Sequence, residues 1–323
     1  MLALGGCSLI DDDLSVCGVD CRIDYEMRLT MDMQVAIEAE LRAESDSPVA
    51  AALRSWLEPI FEGTDHHVEL CFYSDDEADE MRDHAIEEVT ARRSSFTFYL
   101  PRENYMHLAV VNANGNGEVY TYDSVHSSTM YIECADIDTL PSHPTAIYTA
   151  RYPIVLNDLA EDENRSFVVN LYPVSAAVAL VLDTSIHRIP RMEVLLRGTA
   201  SGFAVKDSVF RYDRPTIVRA EKLDARCYAA VSMPSRDALP AAAPQRGKVE
   251  SEALWELVSR VTLPNGKITE TVLSVSEPLL AGDLEIIRCE VQDDGSLMPV
   301  GNSHVGASVT LDWKDGGEHE IDI

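Results

Sequence analysis

No lysine occurs before Lys206 in this 323-residue chain. The first two-thirds therefore hold no lysine to cradle a phosphate or form a Schiff base. Positive charge is scarce throughout, 26 Lys and Arg against 55 Asp and Glu, which leaves a net charge of −29. Such a surface repels phosphate backbones and anionic lipid, so nucleic acid is excluded as a partner. No apolar run reaches the 18 or so residues of a membrane helix, and any membrane attachment must be covalent or peripheral. Catalytic signatures are missing as well: there is no Walker loop, no H-E-x-x-H and no kinase set. The stretch Gly198-Thr199-Ala200-Ser201-Gly202 has the wrong spacing for a nucleophile elbow. NANGNG at 112–117 follows a strand without opening a helix, which makes it a hairpin turn and not a dinucleotide loop. With 55 acids some carboxylate pair always lies close by, so acidic pairs carry no weight as a glycosidase signal. No enzyme activity, cofactor or metal site is read from the sequence.

What is present is a chain that can fold. Hydrophobic residues make up 46%, charged residues 25%, and 15 Pro with 16 Gly are ordinary for a globular protein, which excludes disorder. The length is about twice that of a typical domain and implies two. Val19, Cys21, Ile23, Tyr25, Met27, Leu29, Met31 and Met33 alternate with polar residues, the period of a strand with one wet face. SPVAAALRSWLEPIFEG then predicts one short helix, with Ser47 as N-cap, Pro48 in the first turn, Val49, Leu53, Trp56 and Ile60 on one face, and Gly63 as the stop.

Strands return in HHVELCFY, in SSFTFYLP where Phe96, Phe98 and Leu100 alternate, and in YMHLAVV. The segment TMYIECADIDTLPSHPTAIY reads as short strands broken by Pro141 and Pro144, before RYPIVL resumes an extended pattern. The polar stretch at 157–166 is the expected boundary between domains. Beyond it SFVVNLYPVSAAVALVLD, MEVLLRG, FAVKDSVFRY, TIVRAEKL, RCYAAVSMP, ALWELVSRVTLPNGKITETVLSV, DLEIIRCEV and SVTLDW form a second strand series without a long helix, the pattern of an antiparallel sandwich. Asn265-Gly266 is a specific hairpin cue, and ALPAAAPQRG is a loop excursion between strands.

Two polar clusters superficially resemble metal sites. His66 and His67 are adjacent, so on a strand they face opposite ways and cannot chelate one ion; a surface loop is the expectation. DDEADEMRDHAI has Glu80 where a calcium loop needs glycine and Ile86 where it needs a bidentate Glu, and reads as a solvated acidic turn. Of seven cysteines, setting Cys7 aside leaves Cys17, Cys21, Cys71, Cys134, Cys227 and Cys289. Their even number suits disulfides in an oxidising compartment, with pairing open, and their wide spread equally suits buried small apolar residues.

The start of the chain is the most specific part. MLALGG is too short for a membrane span or a complete signal core. Leu4-Gly5-Gly6-Cys7 resembles a bacterial lipobox, which implies that Cys7 is acylated and becomes the mature N-terminus, and that residues 1–6 are the tail of a signal. Ser8 is not the aspartate that marks inner-membrane retention in well-studied lipoproteins, and Asp11-Asp12-Asp13 is similar to the acid-rich surface-export signal of Bacteroidetes-type lipoproteins. CSLIDDDLSVCGVDCRIDY as a whole, VELCFYSDD, FYLPRENYMHLAVVNANG and VVNLYPVSAAVALVLD resemble, in order, the fimbrial anchor lipoproteins of Bacteroidetes-type bacteria.

The resemblance implies a mainly all-β chain of two tandem transthyretin-like antiparallel β-sandwiches. Residues 1–18 would be residual signal, lipobox and tether, 19–163 the first sandwich with the helix, and 164–323 the second. It further implies a non-enzymatic outer-membrane lipoprotein that faces the exterior, holds a fimbria to the surface through the lipid on Cys7 and limits its length. Pilin subunits would be the partners, joined by strand addition, and the C-terminal strand is either the donor or an ordinary edge strand. The alternative is a surface glycan-binding lipoprotein of a polysaccharide-uptake system, which needs exposed aromatic platforms that Trp56, Trp255 and Trp313 do not obviously supply.

Overall fold

The computed structural model describes residues 20–29, 37–38, 41–43, 46–61, 65–90, 94–112, 120–123, 130–159, 164–183, 191–238, 253–301 and 304–312. The fold is all-β with one long helix among these residues, α1 (Ser47–Phe61). With strands numbered along the chain, a seven-stranded sheet runs β3 (Met81–Thr90), β2 (Asp65–Ser74), β5 (Asn104–Val111), β9 (Tyr148–Val155), β10 (Arg165–Pro173), β1 (Cys21–Leu29) and β4 (Ser95–Leu100). A five-stranded sheet runs β16 (Glu221–Lys222), β17 (Cys227–Ser232), β11 (Ala176–Asp183), β20 (Leu284–Val291) and β21 (Leu297–Pro299). A six-stranded sheet faces it, in the order β22 (Val305–Asp312), β19 (Ile268–Val275), β18 (Trp255–Thr262), β12 (Arg191–Arg197), β15 (Ile217–Arg219) and β8 (Leu140–Pro141). A small fourth sheet joins β14 (Val209–Arg211), β13 (Gly202–Ala204), β7 (Tyr131–Cys134) and β6 (Tyr120–Asp123).

Pairing is mostly antiparallel, with parallel contacts at β1/β10, β11/β20 and β15/β8. It also crosses the 163/164 division. Strand β10, expected to open the second sandwich, lies in register beside β1, from Ile23 opposite Arg165 to Leu29 opposite Leu171. Its Phe167, Val169 and Leu171 alternate into the same core as Ile23, Tyr25 and Met27. In the other direction β7 and β8, from the first half, pair with β13 and β15 of the second. The polar stretch at 157–166 breaks the chain without breaking the sheet; the chain changes sheets at Val174-Ser175, after Pro173.

There are two hydrophobic cores, and the five-stranded sheet is the wall between them. On β11, Ala177, Ala179 and Val181 point into the first core, while Ala176, Val178, Leu180 and Leu182 point into the second. A strand buried on both faces must read as an unbroken apolar run, and AAVALVL does. Helix α1 packs over β17 on the first-core side, where the small Ala177, Ala179 and Ala229 line the sheet face. The helix starts at Ser47, where its sequence places it, and buries Val49, Leu53 and Ile60 together with Ala50, Leu57 and Phe61; the expected stop at Gly63 lies outside the described residues. Trp56, assigned to that face, is only half-buried; its indole N–H donates to Glu221 Oε2 at 3.2 Å on β16. A stronger tie sits before the helix: fully buried Asp46 accepts from Arg288 at 2.8 Å, and Arg288 also donates to Asp183 at 2.8 Å. The hydrogen bond that Arg288 donates to Asp46, with the one it donates to Asp183, holds its guanidinium above its usual pKa.

Several local expectations meet their outcome here. β1 shows the predicted alternation, with Cys21, Ile23, Tyr25 and Met27 buried and Arg22 and Arg28 exposed; Met31 and Met33 lie outside the described residues. His66 and His67 are not in a loop but in β2, whose register pairs them with Val89 and Glu88, and they do face opposite ways, His66 buried and His67 exposed. The acidic turn is real: Asp76 accepts from Ser74 Oγ at 2.7 Å and the Ala78 amide at 3.0 Å, which lowers its pKa. What the sequence did not show is that Met81–Thr90 then becomes a full edge strand.

Candidate assembly edge at the C-terminal strand

Strand β19 is positioned by its hairpin with β18. At the turn the Gly266 amide donates to Leu263 O at 2.9 Å, the Lys267 amide donates to Asn265 Oδ1 at 3.0 Å, and Gly266 takes φ +81°, the left-handed region glycine enters without strain. The strand then alternates, burying Thr269, Thr271, Leu273 and Val275. β22 pairs with it along its full length, from Val275 opposite Val305 to Ile268 opposite Asp312. That pairing realises the edge-strand reading of SVTLDW; Trp313 lies outside the described residues.

This edge is held almost wholly by its backbone ladder. Gly306, Ala307, Ser308, Val309 and Thr310 are all exposed, so neither face of the strand is covered there. Its anchorage is at the start. His304 bonds Glu285 at 3.0 Å, its carbonyl accepts from the Ser276 amide at 3.1 Å, and Val305 packs against the second core. Beneath the strand, β19 is buried partly through threonines: the Thr271 hydroxyl accepts from the Leu297 amide, and Thr269 donates to Asp294 O. Apolar burial, worth about 1.5–3 kcal/mol per large side chain, is therefore missing from residues 306–310 of β22.

Among the other described sheet edges, β6 is four residues long, and the rest are blunted or fastened. β8, β14, β16 and β21 are two or three residues long. β3 carries Arg82, Asp83, His84, Glu87 and Glu88, the charged residues that discourage edge-to-edge pairing. β4 is neutral, but Phe96, Phe98 and Leu100 fasten it to the first core. β22, reading VGASVTLD, is neutral until its last residue and, beyond its anchored start, has no buried side chain at residues 306–310. Chemically, such a strand can leave, or be replaced by another chain's strand, without dismantling a core.

The remaining sequence candidates separate clearly. Cys7 and Cys17, with the acidic run Asp11 to Asp13, lie outside the described residues. Cys21, Cys71, Cys134, Cys227 and Cys289 are all buried, and no disulfide joins them among the described residues. Cys227 and Cys289 show why: they lie on the two strands flanking β11 and face different cores. Two strand spacings put them about 9.5 Å apart, beyond the roughly 7 Å a disulfide allows between Cα atoms. Burial raises the Cys134 thiol to about 11 and those of Cys227 and Cys289 to about 12, so none of these is a ready nucleophile. Trp255 is buried, with its indole N–H on Glu277 O at 2.8 Å. Tyr99 and Tyr172 are 64% and 60% exposed. Their registers against β1 put them at opposite ends of the sheet, roughly 25 Å apart along the strands, too far to form one sugar platform.

No protein-family model matches the sequence, and no curated protein does. Solved structures do match. A candidate polysaccharide-binding protein of Bacteroides thetaiotaomicron superposes with a TM-score of 0.53 at 9% identity, over 88% of this chain and 99% of its own. A candidate adhesin of Bacteroides ovatus gives 0.51 at 10% identity, over 97% and 100%. The chain has the fold of these Bacteroides surface-protein candidates. Its matches also include the fimbrial anchor protein of Porphyromonas gingivalis, with a TM-score of 0.45 at 13% identity over 90% and 99%.

Proposed function

We propose that this chain is a cell-surface subunit of a fimbria, acylated at Cys7, held in the outer membrane facing outward, and joined to pilin subunits by strand addition. The observation that carries the reading is β22: a strand paired along its length with β19, neutral until Asp312 and exposed at residues 306–310, at the edge of its sheet. Strand addition trades one main-chain ladder for another, and side-chain pockets along the acceptor supply specificity. Loss of β22 opens the β19 edge to a partner's strand, while the outer edge of β22 itself accepts one without any loss. The adhesin fold and the lipobox-like LGGC support the surface role. Anchoring the fimbria and ending its growth is the part the lipid on Cys7 makes coherent, since an acylated subunit cannot be carried outward from the membrane.

Deletion of the gene in the parent bacterium, followed by electron microscopy, tests the anchor: shed or overlong fimbriae are expected, and attached fimbriae of normal length overturn it. Cys7→Ala with membrane fractionation tests the tether, with release from the outer-membrane fraction expected. The glycan-binding reading draws on the name of the Bacteroides thetaiotaomicron neighbour. The separation of Tyr99 from Tyr172 and the burial of Trp255 speak against it.

A further inference from the structure

The strand alternation that separates His66 from His67 brings three other donors together. Glu69 and Cys71 are two residues apart on β2 and share a face, and His84 on β3 stands directly opposite Cys71 in the register. One ligand atom from each lies within 4.8 Å of the others. Glu69 Oε1 is 2.8 Å from His84 Nε2 and 3.9 Å from Cys71 Sγ. Glu69 and Cys71 are buried, and His84 closes the cluster from the solvent side.

We propose that Glu69, Cys71 and His84 form a three-ligand site for a zinc-like divalent cation. Thiolate, imidazole and carboxylate in one tetrahedral set is the donor chemistry of a borderline-soft ion such as Zn2+, and three protein ligands leave the fourth position to water. Bonds of about 2.0–2.3 Å require donor separations near 3.3–3.8 Å, so the Glu69–His84 contact opens by about half an ångström, the thiol closes on Glu69 by less, and its closure on His84 is no more than about an ångström and a half. Binding displaces the Cys71 thiol proton to solvent, and the proton that His84 Nε2 shares with Glu69 moves to Nδ1 or to solvent, so that Nε2 can ligate. The ion would staple β2 to the edge strand β3, whose outward Ile86 is otherwise uncovered. The site is independent of the assembly edge at β22.

The full chain, reduced and freed of metal, is titrated with Zn2+ by calorimetry and with Co2+ by absorption spectroscopy. One ion per chain is expected, with a thiolate-to-cobalt charge-transfer band and a rise in melting temperature on zinc addition. Cys71→Ser removes that band. His84→Ala, at a partly exposed position where the fold tolerates it, weakens binding by more than the roughly 10- to 100-fold that loss of an outer-shell partner costs, and abolishes the thermal shift. Absence of binding by the unaltered chain overturns the proposal. A charge-transfer band that survives in Cys71→Ser places the thiolate elsewhere, at Cys7 or Cys17 for example, and overturns it as well. So does unchanged zinc affinity in His84→Ala, which circular dichroism shows to be folded.

Discussion

Two strands of eight residues each, Ala176–Asp183 and Val305–Asp312, make the same kind of hydrogen-bonded ladder and live in opposite surroundings. β11 has partners on both edges and a core on both faces; β22 has one partner, and its residues 306–310 are exposed. Backbone pairing contributes little net free energy per bond because water offers the unfolded chain the same bonds. Burial therefore decides which strand is fixed and which is exchangeable. The molecule concentrates its cohesion in the wall between its cores, and residues 306–310 of the β22 edge add little to it.

The comparison is broken most severely by emptying the wall. Leu180, buried against the second core, should cost about 2–5 kcal/mol when changed to Ala, read as a lower urea midpoint at constant slope. The ion pair at the same wall comes next. Arg288→Met strands the buried Asp46 carboxylate and should cost about 3–5 kcal/mol, whereas Arg28→Ala, which opens the exposed Arg28–Glu26 pair, should cost under about 1 kcal/mol. If the two losses are equal in chemical denaturation, the clasp between helix start and wall is only a surface contact.

A milder probe is acid. His143 is fully buried where the first half reaches β17, its amide donating to Val231 O at 2.9 Å, and burial lowers its pKa from 6.5 to about 4. The folded state thus resists the proton that the unfolded chain accepts first. Stability attributable to this group is full above about pH 6.5 and falls as pH drops toward 4, at no more than about 1.4 kcal/mol per pH unit. Unfolding midpoints between pH 7 and 5, above the range where carboxylates dominate, should fall less steeply in His143→Leu. An identical slope would show that the imidazole does not titrate with unfolding.

Much of the wall was legible because its physics is local. AAVALVL is apolar at every position, as a strand between two cores must be, and helix α1 carried its cap, its proline and its apolar spacing in one segment. What lay hidden was non-local. Nothing around Arg165 announces that β10 pairs with β1, about 140 residues earlier by the registers, because alternating apolar residues fit either sheet. Met81–Thr90 was masked by its charges, which on an edge strand are protective and not disqualifying. The Glu69, Cys71 and His84 cluster needs the β2–β3 register, which a sequence gap of 13 residues does not reveal.

The smallest thermodynamic effect belongs to the strand with the largest proposed functional one. Val309 is 46% exposed, and Val309→Ala should shift stability by no more than about 0.5 kcal/mol, an order of magnitude below the wall substitutions. Assembly should respond in the reverse proportion. Val272 and Ser308 stand opposite each other across β19 and β22. Directly paired residues of an antiparallel ladder lie about 4.5–5.5 Å apart at Cα, within disulfide reach. The double variant Val272→Cys/Ser308→Cys, oxidised, fastens β22 without touching the core. If β22 is the strand exchanged in assembly, the oxidised protein keeps its melting behaviour and no longer joins pilin in a pull-down, and reduction restores capture. Capture that persists in the oxidised form moves the junction off β22 exchange, to the outer edge of β22 or to the neutral edge of β4, and a β4 variant with Thr97→Lys then separates those two.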